Sequence, residues 1–143
     1  MASFPASILI RAFRSKNPTS LMRLADISQV TVLLDADAED ASAAMDKVQG
    51  YFARKGIQLV IFPVRQKKFI RAYRNTQVLL SLVPGSSWHL EYVVKRSRAL
   101  FKIGRTQFPG EPFDLVVSDP AGTSFPQCEV FGRMMELVES LVR

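Results

Sequence analysis

The polar residues best placed for chemistry lie at the ends of apolar runs. Asp35 and Asp37 follow the run 29–34, and Gly85, Ser86 and Ser87 follow the run 78–83. Arg105 closes the run 99–103, and Asp119 follows the run 113–118. If these runs are parallel strands, the seven residues share the sheet end at which open α/β domains bind ligands. Free N–H groups over 86–88, at a helix start, can hold a phosphate or a carboxylate. The glycines, however, have neither the phosphate-loop spacing nor the dinucleotide-binding spacing. Helix capping accounts for Ser86 and Ser87, and turn or cap roles account for Asp35 and Asp37. An acidic phospho-acceptor pocket needs a lysine beyond a later strand, and Lys102 lies within one.

No catalytic or metal set emerges. His89 is the only histidine, and Ser87-Trp88-His89 lacks the glycines and acid of a nucleophile elbow. Cys128 is the only cysteine, which excludes an internal disulfide and a cysteine-rich zinc site.

A second candidate is electrostatic. The formal charge is +6, and the stretch 64–105 holds ten Lys/Arg against one acid, Glu91. Within it, Arg65, Lys67, Lys68, Arg71 and Arg74 are interleaved with Phe69 and Tyr73. Such a patch suits an anionic partner: an acidic protein, an anionic small ligand or, with rings among the cations, single-stranded nucleic acid. A solvated rim over amphipathic packing gives the same string.

The elements that must position these groups follow from periodicity. At 143 residues, with 48% hydrophobic and 22% charged residues, the chain has the length and composition of one globular domain rather than of a disordered segment. Runs over 29–34, 57–62, 78–83, 99–103 and 113–118 are apolar without clean alternation, as for strands buried on both faces. The second should stop at Pro63. Helices are expected from Asp37, as N-cap, to Lys55; over 88–97; and over 128–142. Gly50, inside the first, suggests close approach to the sheet. Residues 65–75 fit a short helix or an extended basic loop.

Alternating strands and helices call for a single three-layer α/β/α domain over 28–143. Its sheet should be mainly parallel and five-stranded, flavodoxin-like or Rossmann-like, in the order 2-1-3-4-5. Residues 1–27 read as a basic N-terminal helix, over about 3–14, and a connector. They lack an export-signal core, and no apolar run reaches membrane-spanning length, so a cytoplasmic protein without a membrane partner is expected.

The block Leu90 to Arg105, with its Ser97-x-Ala99-x-Phe101-Lys102-Ile103-Gly104 segment, is followed by Phe113-Asp114-Leu115-Val116-Val117 and an amphipathic C-terminal helix. This arrangement resembles a family of small bacterial proteins of unknown function, over roughly Gln29 to the C-terminus. The resemblance implies a fold and no activity. At the level of fold the same block is also similar to the N-terminal Rossmann-like half of bacterial heptosyltransferases. The nucleotide-sugar-binding second half has no counterpart here, so transferase activity is not implied.

Two functional readings follow. One is a non-catalytic α/β interaction module, as a homodimer or with an acidic partner at its basic middle. The other is a nucleotide- or phosphosugar-binding domain that uses Asp35, Asp37, Gly85, Ser86, Ser87, Arg105 and Asp119, with weak enzyme activity in addition.

Overall fold

A computed structural model describes residues 9–12, 27–64, 76–85, 87–119 and 122–141. In chain order the elements are β1 (Leu9–Ala12), β2 (Gln29–Asp35), α1 (Ala41–Lys55), β3 (Gln58–Val64), β4 (Val78–Ser81), α2 (Trp88–Arg96), β5 (Phe101–Gly104), β6 (Leu115–Ser118) and α3 (Gln127–Leu141). The sheet order is β1-β6-β5-β4-β2-β3. β2 to β6 are mutually parallel, and taken alone they stand in the expected 2-1-3-4-5 order. The strand order reverses beside β2, which both β3 and β4 flank.

Central strands are mostly apolar because both their faces are covered, and even Thr31 of β2 and Ser81 of β4 are buried. Val30, Val32 and Leu34 of β2 and Leu80 of β4 pack with Ala44, Val48 and Phe52 of α1 and with Val130, Phe131 and Met134 of α3. The alternate residues Leu33 and Leu79 turn to the other face, against Leu90, Val93 and Val94 of α2. Each side chain buried this way contributes roughly 1.5–3 kcal/mol. No helix joins β5 to β6. The connecting loop instead supplies Phe108 and Phe113, which pack beside α2 on its face of the sheet. Gly104 is required there, since a Cβ would overlap the Phe113 ring.

Several expectations are corrected. Residues 9–12 form a strand antiparallel to β6, from Leu9 opposite Ser118 to Ala12 opposite Leu115, and not part of an N-terminal helix. Pairing with the otherwise open edge of β6 overrides the weak helical periodicity of this segment. These four residues belong to the same sheet as the rest, and the remainder of the expected helix and most of its connector lie outside the described residues. β3 runs through Pro63 to Val64, because on an edge strand the missing N–H need not face a neighbour. α1 begins after Asp40 rather than Asp37, which lies in the preceding turn. Gly50 makes no close approach to the sheet: a Cβ there would meet only the Arg54 side chain, at 3.4 Å. The segment 65–75, with its helix-or-loop alternative, lies outside the described residues.

Candidate functional site

The C-terminal ends of β4, β5 and β6 converge on one side chain. Arg105 leaves β5 and is buried, its side chain 3% exposed. Its Nη1 donates to Leu82 O just past β4 at 3.1 Å. Its Nη2 donates to Asp119 Oδ2 just past β6 at 2.5 Å and to Phe125 O at 3.1 Å. Asp119 Oδ2 also accepts from Phe125 N at 3.2 Å. The guanidinium thus ties two strand ends to the loop that precedes α3. Its Nε is buried without a partner.

Two clefts flank this clamp. One, of about 290 Å³, is lined by Pro84, Gly85, Thr106, Gln107, Ser118 and Asp119, among others. The second, of about 360 Å³, lies where the strand order reverses and is lined by Asp35, Glu39, Asp40, Ser124, Phe125 and Gln127, among others. Pro84 and Arg105 border both.

Most of the polar groups around the larger cleft are spent on the fold. Asp35 Oδ1 accepts from Asp37 N at 3.1 Å in the turn after β2. The Gln127 amide brackets the end of β2: its Oε1 accepts from Asp35 N at 2.7 Å, and its Nε2 donates to Asp35 O at 3.1 Å. Asp40 precedes α1 yet serves α3, where its Oδ2 accepts from Cys128 N at 3.0 Å. Burial opposes ionisation of Asp40, but the hydrogen bonds from Cys128 and Gln127 outweigh it and hold the carboxyl below its ordinary value. A carboxylate at a helix N-terminus is further favoured by the helix dipole.

The expected site residues therefore divide. Asp35, Arg105 and Asp119 do come together at the crevice, and Gly85, with φ 71°, borders its smaller cleft. Ser87 is the N-cap of α2 and accepts from Leu90 N at 3.2 Å. Asp37 is exposed in its turn. Ser86 and the cations Arg65, Lys67, Lys68, Arg71 and Arg74 lie outside the described residues. Asp40 and Gln127 were not anticipated. Their partners are 87 to 92 residues away, and no local spacing signals such contacts.

Elsewhere, Lys102 and Asp114 form a half-buried pair beside β5. Lys102 Nζ donates to Val94 O at 2.8 Å, and Lys102 N donates to Asp114 Oδ2 at 2.9 Å. Burial lowers the Lys102 pKa against the opposing pull of Asp114, and burial raises that of Asp114 against its contacts with Lys102. Among the described residues no group of three or more His, Cys, Asp or Glu side chains can hold a metal ion. No described helix is long and apolar enough to cross a membrane. Comparison with protein-family models, with curated proteins and with solved structures found no match.

Proposed function

We propose that this chain is a non-catalytic α/β binding module that acts in the cytoplasm by engaging a protein partner. One observation carries the reading. Of the four carboxylates that border the two clefts, Glu39 is exposed, and the other three are engaged with Arg105 or with the backbone: Asp119 with Arg105, Asp40 with the start of α3, Asp35 with its own turn. A general acid or base must be within reach of substrate and free to exchange a proton, and these three carboxylates are held as fixed acceptors. The resemblance to small bacterial proteins of unknown function is kept as part of this proposal and adds no activity to it.

A second reading rests on the two clefts and the unpartnered Nε of Arg105 between them: a small-ligand domain for a nucleotide or phosphosugar. A thermal-shift screen separates the readings, because a ligand of the native state raises the melting temperature. On the module reading no nucleotide or phosphosugar raises it. A hit that disappears in Thr106→Ala/Ser118→Ala overturns that reading in favour of the second.

A further inference from the structure

Exposed large hydrophobic side chains are confined to one short stretch among the described residues: Trp88 at 64%, Tyr92 at 43% and Leu100 at 50% exposure. The geometry of α2 accounts for the first two. Leu90, Val93 and Val94 turn inward and are buried, which leaves positions 88 and 92, one turn apart, on the outer side. One turn further, the Arg96 guanidinium lies over the Tyr92 ring, 5.3 Å from its centroid. Lys95 and Arg98 are exposed in the same stretch. Lys95 is paired with Glu91 at 2.8 Å, which leaves Arg96 and Arg98 as the excess positive charge. Trp, Tyr and Arg are the residues that dominate binding energy in protein interfaces.

We propose that the outer side of α2, together with the exposed residues that follow it to Leu100, docks an acidic protein segment. Its carboxylates would pair with Arg96 and Arg98, and its apolar side chains would be buried on Trp88, Tyr92 and Leu100. The inference rests on the reading of the domain as a binding module and names the partner's chemistry. Protein is favoured over single-stranded nucleic acid because Arg96 already occupies a face of the Tyr92 ring that a base would need for stacking. The formal charge of +6 adds long-range attraction for an acidic partner.

Trp88 is the only tryptophan, so tryptophan emission, excited where tyrosine does not absorb, reports this surface alone. The probe is a short synthetic peptide of Glu and Asp interleaved with Leu and Phe, titrated at about 0.15 M salt, where weak surface attraction is largely screened. The expected result is a blue shift of Trp88 emission, with Kd weakened about tenfold in Arg96→Glu/Arg98→Glu and also weakened in Leu100→Ser. Both variants change exposed positions, and an unchanged melting temperature confirms that each is folded. An unshifted emission overturns the proposal, as does a shift that persists in Arg96→Glu/Arg98→Glu. So does tighter binding of oligo(dT) or of phosphatidylserine vesicles than of the peptide. The module reading fails differently, through a phosphosugar or nucleotide that raises the melting temperature equally in wild type and in Arg96→Glu/Arg98→Glu.

Discussion

Asp119→Ala tests whether the strand-end clamp is structural. The substitution leaves the Arg105 guanidinium, 3% exposed, without its counter-ion and Phe125 N without its acceptor. Removing one partner of a buried ion pair costs about 3–5 kcal/mol, and because Asp119 is itself 16% exposed the low end applies, about 3 kcal/mol. Unfolding entropy of about 2.1 cal/mol/K per residue gives a chain of this length a fall in melting temperature of about 10 °C. Arg105→Met alone leaves Leu82 O and Phe125 O without their donor. Arg105→Met/Asp119→Ala removes both charges and should lose much less than the sum of the single variants, with a coupling energy of about 2 kcal/mol. Urea unfolding of the four proteins measures every term. A loss below about 1 kcal/mol in Asp119→Ala, together with additive single variants, would refute the clamp.

Three further outcomes follow from other contacts. Asp40 has a folded pKa below its unfolded value, so its stabilisation is present above about pH 4 and fades as pH falls through the folded value; the stability gap between wild type and Asp40→Asn should be widest near neutrality and close in acid, as urea unfolding across pH will show. Gly50→Ala, inside α1 with only Arg54 nearby, should raise stability by about 0.5–1 kcal/mol; a loss in calorimetry would reveal a contact there. Gly104→Ala forces a methyl into the Phe113 ring and should cost about 1–3 kcal/mol by the same measurement.

The sheet was legible because its signal is local. Val30 to Leu34 and Val78 to Leu82 are apolar but for Thr31 and Ser81, and a strand covered on both faces favours that pattern. Ser87 was legible for the same reason, since an N-cap hydroxyl acts within one turn of its own helix. The segment at 9–12 misled because four residues carry no decisive period and the open edge of β6 decided their conformation. Asp35, Arg105 and Asp119 were placed at the correct end of the sheet, but their roles depend on Leu82 O, Phe125 and Gln127, partners that only tertiary structure brings near. Asp40 and Gln127 escaped notice for that reason. The exposure of Trp88 and Tyr92, by contrast, was implicit in the inward spacing of Leu90, Val93 and Val94.

The bond between Asp40 and the start of α3 joins residues 88 apart, and the hydroxyl of Tyr51 in α1 likewise donates to Glu139 in α3, also 88 apart. Phe52 meets Phe131 edge-on across the same helix pair, with ring centroids 5.8 Å apart. During synthesis, α1 and β2 leave the ribosome long before the residues that shield them. Until α3 follows, Ala44, Val48 and Phe52 lack their contacts with it and stay accessible to chaperones and to neighbouring chains. A nascent chain stalled short of Gln127 should be a substrate for quality control even with the described strands made, because what it lacks is one of the two helices that cover one side of the sheet.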